Sequence, residues 1–512
     1  MPTDIVSPSI AYGPLAPLLF VLGAAVVAVL VEALVPARAR RPTQVVVASA
    51  GLVGALVATV LLAGTSRLIA DRVIAVDGPT LFLQGTLAVL GLSAVLLLSE
   101  GSLDSSGGAV VARASATPGS REDVALSESS AVQTEVYPLA LFSLGGMMLF
   151  LASNNLLLMF VALEVLSLPL YLMAGLARRR RLLSQEAAVK YFLLGAFASA
   201  FFAYGVALLY GYAGSVDVDV ILGRTGLAAG NDLLLYLGLA MLTVGLLFKV
   251  GAVPFQAWTP DVYQGSPTPV TALMAACTKI AAFGALLRVF YVAFGTSQWA
   301  WRPMIWAVAV LTMVLGAVLA VTQTDVKRML AYSSIAHTGF ILVGVAAINR
   351  DGLSGTLFYL LAYGFTTIAS FALVTLVRDA GGEATHLAQW AGLGRRSPVV
   401  AGSFALLLFA LAGIPLTSGF MAKFAVFKAA TEGGATALVV VGVVASAVTA
   451  FFYARVVVLM FFSEPAPDGP TVAVPSAFTA VSIGVGLAVT VVLGVLPQPL
   501  LDLTDRAALF VR

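Results

Sequence analysis

Apolar stretches of eighteen or more residues recur along this chain from end to end. Each is long enough to cross the ~30 Å hydrocarbon layer of a bilayer as a helix. The 512 residues are 60% hydrophobic and only 10% charged, against roughly 25% charged in soluble domains. Together with a mean hydropathy of +1.00, this excludes a water-soluble enzyme, a nucleic-acid binder and a disordered chain. The fold class is an all-α polytopic membrane protein. A single cysteine, Cys277, leaves no internal disulfide or cysteine-held cluster, and two histidines, His337 and His386, offer little for a metal site. No glycine-rich phosphate loop is present. No basic segment precedes the first apolar run, so that run is expected to be an uncleaved helix.

Hydropathy predicts about fourteen transmembrane helices. They include a fifth over Leu156–Leu176, a seventh over Leu233–Trp258, an eighth over Pro269–Tyr291 and a twelfth over Ala401–Ala430. Residues 1–99 form an N-terminal three-helix group, and 100–134, rich in Ser, Gly and acidic residues, reads as a flexible polar loop. Residues 135–295 and 296–465 form two larger units, and 466–512 a last helix and tail. Loops after odd-numbered helices carry Arg38, Arg40, Arg41, Arg113, Arg121, the run 178–181, Lys327, Arg378, Arg395 and Arg396. Loops after even-numbered helices carry only Arg67, Arg72, Arg224, Arg302 and Arg350. The positive-inside rule therefore puts the odd loops in the cytoplasm and both termini outside.

Only six of the 28 basic residues are lysines: Lys190, Lys249, Lys279, Lys327, Lys423 and Lys428. A GC-rich genome would explain the total, but not why the surviving lysines sit mostly within apolar spans. Arginine holds its proton under ordinary conditions, whereas a buried lysine can exchange one. Lys249 precedes Gly251 and Pro254, which interrupt the seventh span. Pro254 cannot donate to the carbonyl of Val250, so the helix opens beside the lysine. Lys279 lies about 15 Å into the eighth span, near the bilayer midplane. Lys423 follows Gly413 and Pro415 in a second interrupted helix, and Glu164 is the deepest acid, with Pro169 freeing a carbonyl beside it. Each has a plainer reading as a buried ion pair or a snorkelling side chain. Lys190 and Lys428 lie nearer span ends, Lys327 with Arg328 reads as a cytoplasmic anchor, and Trp299, Trp301 and Trp306 as an interfacial belt. His337 is either a relay member or a hydrogen-bonded core residue. Two broken helices five spans apart predict inverted five-helix repeats, spans 4–8 and 9–13, with helices 7 and 12 broken.

The stretch FKVGAVPFQAWTPDVYQGSPTPVTALMAACTK, with DVKRMLAYSSIAHTGF and GIPLTSGFMAKF, resembles the antiporter-like subunits of proton-pumping NADH:quinone oxidoreductase (complex I). That family also includes large subunits of multisubunit sodium/proton antiporters and membrane-bound hydrogenases. The resemblance covers roughly residues 135–465. SLPLY after Glu164 is similar to the N-type branch, and Lys423 stands where the M-type carries glutamate. The resemblance implies a redox-driven proton channel with no cofactor in this chain. NADH, FMN, Fe–S clusters and quinone would belong to other subunits, so the enzyme label belongs to the complex. By the family pattern Glu164 pairs with Lys249, Lys279 is the central relay lysine, and Lys423 ends the second half-channel. Lys190 and His337 would be secondary members. The implied partners are the lipid bilayer and other membrane subunits of complex I, with subunits M and K as neighbours, in a bacterial inner membrane. The alternatives are a sodium/proton antiporter subunit and a structural scaffold whose buried charges fix helix packing.

Overall fold

The computed structural model describes residues 11–103, 108–111, 113–128, 133–226, 232–379, 381–465 and 469–511. Part of the 100–134 segment, and the extreme N-terminus ahead of the expected first helix, lie outside the described residues. Among the described residues twelve helices qualify as spans by length and apolar composition, from Gly13–Leu34 to Ala477–Val495. The expected fourth span is shorter, 17 residues over Val136–Ala152. The expected twelfth is divided into Pro398–Ala412 and Ser418–Glu432. The only sheets among the described residues are a hairpin, Arg67–Ile69 with Ile74–Val76, and a small antiparallel sheet. In that sheet Val377–Asp379 lies between Gly382–Glu383 and Thr471–Val472.

Helix starts follow local chemistry. Asn155 accepts from the amides of Leu157 and Leu158 at 3.0 Å each. Asp325 does the same for Lys327 and Arg328 at 2.9 and 3.0 Å. Each thereby satisfies amides that have no partner within the first turn. Between helices, small residues permit backbone contact where no hydrophobic force acts in lipid. A Cβ on Gly146 would stand 2.5 Å from the Leu166 amide nitrogen, so Val136–Ala152 packs directly on Leu156–Ala174.

Three helices form the centre: Thr268–Ala293, Val326–Ala346 and Arg350–Val374, buried over 100%, 94% and 94% of their apolar windows. The outer Ala477–Val495 is buried over only 28% of its window, so this chain leaves most of its apolar surface uncovered. The central three carry Lys279, His337 and Tyr363 respectively. In the first, π-helical turns at Met274–Thr278 and Val289–Ala293 bracket the α-helical segment Lys279–Arg288, a widening often found at working sites.

The 100–134 segment, read from sequence as flexible, is held down in its described parts. The Val111 amide donates to the Leu176 carbonyl at 2.8 Å and the Arg178 amide to Ala109 at 2.9 Å. Arg181 Nη2 donates to the carbonyls of Ala114 and Ala116 at 3.1 Å each. The arginine run at 178–181 therefore also binds the loop. Glu100 supplies a second anchor. Its carboxylate accepts from Ser102 N at 2.7 Å and from Ser476 N at 2.9 Å, fixing the start of the last long helix.

Burial alone would raise the Glu100 carboxyl, but the hydrogen bonds from Ser476 and Ser102 outweigh it and hold the pKa down to about 2 from 4.5. A depressed carboxyl stabilises the fold above its unfolded pKa and loses that contribution as pH falls through the folded one. Thermal unfolding in detergent should therefore show stability falling between about pH 4.5 and about pH 2. Glu100→Gln should flatten that fall; an unchanged acid limb would show that Glu100 is not the anchor.

Candidate functional site

Breaking a helix inside hydrocarbon leaves carbonyls that something must satisfy. The helix Asp232–Val250 ends just before Gly251, whose φ is +74°, and a short helix, Trp258–Gly265, follows Pro254. Trp258 Nε1 donates to the Phe248 carbonyl at 3.0 Å, and Thr338 Oγ1 to the Val250 carbonyl at 2.8 Å. Thr338 belongs to the central helix Val326–Ala346, so the break is locked to the core.

That same hydroxyl accepts a hydrogen bond from Lys279 Nζ, which also donates to the Ser334 carbonyl at 2.7 Å. Lys249, one residue before the break's carbonyl, is 5% exposed, and its Nζ has no hydrogen-bond partner. It lies 5.5 and 5.4 Å from the ring centres of Tyr171 and Tyr191, where ring faces attract a cation. Lys249 and Lys279 line one small cavity with Thr259, Tyr263 and Ser334, with room for about one water.

The second break repeats the device with a different donor. Pro398–Ala412 ends at Gly413, φ +85°, with the amides of Gly413 and Ile414 returning to Phe409 O at 3.0 Å each. Lys423, from the following helix, donates to the carbonyls of Leu411 and Ala412 at 3.2 and 2.8 Å and to Ser446 Oγ at 2.8 Å. The negative end of the half-helix thus holds the ammonium. A Cβ on Gly413 would meet Lys423 Cδ at 2.9 Å, so any side chain there displaces the lysine.

His337 joins the two halves of the row. Its ring centre is 5.0 Å from that of Tyr363, which lies under Lys279 at 5.4 Å. It is also 5.8 Å from Phe340, whose ring carries Lys423 at 4.6 Å. Nδ1 shares a 2.8 Å hydrogen bond with Tyr359, while the buried Nε2 has no partner. The row runs Lys249, shared cavity, Lys279, Tyr363, His337, Phe340, Lys423.

Two expected members stand differently. Glu164, on Leu156–Ala174, is half-buried, with its Oε1 atom buried and unpartnered. It makes no direct ion pair with Lys249; Tyr171, two turns along the same helix, presents its ring to that lysine instead. Lys190 lies outside the row. It is 41% exposed and bonded to Glu186 at 2.7 Å and Asp261 at 2.6 Å. Trp301, expected in an interfacial belt, is 1% exposed and donates to Phe294 O at 3.0 Å.

Sequence reasoning missed a second charged site. At the opposite end of Gly78–Leu98 from Glu100, Asp77 and Arg288 form an ion pair with both side chains wholly buried. Arg288 Nη2 donates to both Asp77 oxygens at 2.9 Å and to Thr80 Oγ1 at 2.7 Å. The Val511 amide closes the site on Asp77 Oδ2 at 3.1 Å, and the Phe510 ring covers the guanidinium. Both residues sit near span ends, where charge reads as an interfacial anchor. Among the described residues no group of His, Cys, Asp or Glu gathers to hold a metal.

The model of the NADH:quinone oxidoreductase/Mrp antiporter transmembrane family matches residues 153–449. NADH-quinone oxidoreductase subunit N from Parafrankia sp. (strain EAN1pec) is 64% identical over 98% of this chain and 96% of its own length. A chain of respiratory complex I from Thermus thermophilus with bound Aureothin is 33% identical, covers 95% of this chain and 98% of its own, and has a TM-score of 0.76. A chain of the Mrp complex from Dietzia sp. DQ12-45-1b has a TM-score of 0.80 at 23% identity, covering 96% and 97%, which shows the shared fold alone. This chain belongs to the NADH:quinone oxidoreductase/Mrp antiporter membrane family.

Removing one partner of the Asp77–Arg288 pair leaves a bare charge in a dry site, at a cost of about 3–5 kcal/mol. Asp77→Leu and Arg288→Met should each lower the unfolding temperature of the solubilised protein, and the double variant should recover most of the loss. A double variant as unstable as the two losses added together would show that the charges are not coupled.

Proposed function

We propose that this chain is the N-type membrane subunit of NADH:quinone oxidoreductase and carries protons through the buried row. The near full-length identity to a subunit N supports this reading over an antiporter subunit, because the fold alone is common to both. NADH, FMN, Fe–S clusters and quinone belong to other subunits in this reading. The row itself is the observation that carries it. Lys249, Lys279 and Lys423 are each about 5% exposed or less, in a chain that otherwise uses arginine.

A change at the quinone-reducing part alters the field of Glu164 at Lys249. With less negative potential Lys249 releases its proton through the shared cavity towards Lys279. His337 and the carbonyl-held Lys423 continue the path. Lys190, paired and half-exposed, acts as a surface partner of Asp261 in this scheme. The two broken helices belong to inverted repeats over 135–295 and 296–465. The two shorter apolar elements complete fourteen spans, and 100–134 is a cytoplasmic loop. The arginine-run face is cytoplasmic in a bacterial inner membrane, both termini are outside, and subunits M and K are the neighbours.

Two substitutions test the scheme in assembled complex. Lys249→Arg and Lys279→Arg keep the charge, but guanidinium, with a pKa above ~12, does not release its proton on the pumping timescale. NADH-driven acidification of inverted vesicles should fall at least about tenfold, while the exposed Lys428→Arg leaves it unchanged. Wild-type pumping by both assembled variants would return the row to a scaffold role.

Glu164→Gln preserves volume and removes charge. It should depress pumping more than assembly, as read on native gels. Normal pumping would remove Glu164 from the relay.

A further inference from the structure

Lys327 and Arg328, adjacent in sequence, have opposite fates. Arg328 turns outward to Asp261 at 2.6 Å and is 29% exposed. Lys327 turns inward, is 3% exposed, and its Nζ donates to the Ser266 carbonyl at 2.7 Å. An anchor in the positive-inside sense needs exposure, and Lys327 has none. It belongs with the buried lysines.

It lies on the wall of a cleft of roughly 830 Å³, counting the open mouth, on the arginine-run face. Ser266, Thr268, Thr375, Glu383 and Thr385 share that wall. The Glu383 carboxylate accepts from Thr268 Oγ1, and Ser266 Oγ is buried without a partner. Asp325 faces Lys327 from its own helix cap; Arg180 and Glu383 face it across the cleft, with Arg178, Arg179, Arg378 and Glu100 farther round. An anion entering this cleft would meet the Glu383 carboxylate as well as the cations, so the lining suits water and protons better than an anionic ligand.

The cleft and the lysine row share two helices. Lys327, Ser334 and Thr338 stand seven and four residues apart on one helix face, and the latter two are the groups that hold Lys279. Lys327 is thus about 10 Å along the helix from Ser334. The helix that starts at Thr268, on the cleft wall, carries Lys279. Tyr263 and Ser334 line the inner cavity, while the next residues after Tyr263, Gln264 to Pro269, line the cleft. Ser334 also faces the hydroxyls of Tyr263 and Tyr363.

We propose, resting on the relay reading above, that Lys327 with Glu383 forms the proton-uptake mouth for Lys279. An N–H bond at Lys327 Nζ breaks as an O–H bond forms on the next water. Each water in the file breaks one O–H bond as the next forms, the last O–H bond breaking as an N–H bond forms at neutral Lys279, and a hydronium proton from the cleft restores Lys327. No other bond changes, and no oxidant or reductant enters.

The test uses assembled complex in inverted vesicles. Lys327→Ala should lower NADH-driven proton uptake at least about tenfold, with a deficit that widens as pH rises and free protons grow scarce. Added imidazole, small enough to enter the cleft and able to carry a proton near neutral pH, should restore most of the rate. A lost structural contact would not respond to imidazole. Should Lys327→Ala fail to assemble, Glu383→Gln at the mouth should show the same alkaline deficit and rescue. Unimpaired uptake, or a deficit indifferent to both pH and imidazole, overturns the proposal. Lys279→Arg separates the two levels: if it too pumps normally, the relay itself fails; if it is inactive while the mouth variants are normal, only the mouth is wrong.

Discussion

A helix interrupted at membrane depth must find a donor for every carbonyl it frees, and the rest of this structure is arranged around that demand. At the first break Trp258 and Thr338 supply the donors; at the second the donor is Lys423 itself. Because Thr338 also accepts from Lys279, satisfying the backbone at Val250 fixes the position of the central lysine. Backbone satisfaction and the placement of the central lysine share the same atoms. A substitution at Thr338 would disturb both, which is why the row is held by side chains from the most buried helices.

The two breaks treat their lysines unequally. Lys423 is saturated by two carbonyls and a serine. Lys249 has only aromatic faces around its Nζ and a carboxylate it does not touch. A group held by no hydrogen bond is the more easily moved by a changing field, so of the two lysines Lys249 is the less fixed.

The spans, the Gly/Pro interruptions and the buried lysines were legible because an apolar neighbourhood makes a charge conspicuous. What closes the breaks was not. Thr338 stands 88 residues from Val250, and a threonine in a helix carries no mark of its partner. Asp77 and Arg288, 211 residues apart, each resemble an interfacial anchor until the fold brings them together. Lys327 was misread for a related reason: next to Arg328 at a span end its burial depends on a rotation that local sequence does not specify. Trp301 differs from Trp299 in the same way, one turned into the core and the other out. The 100–134 segment is polar enough to read as free, yet Arg178 and Arg181 tether it through its carbonyls.

The cavity shared by Lys249 and Lys279 takes about one water. A space that small holds its occupant on whichever polar groups line it, so the side chains of Thr259, Tyr263 and Ser334 set where a water between the two lysines can sit. Enlarging one of those side chains would close the space without touching either lysine.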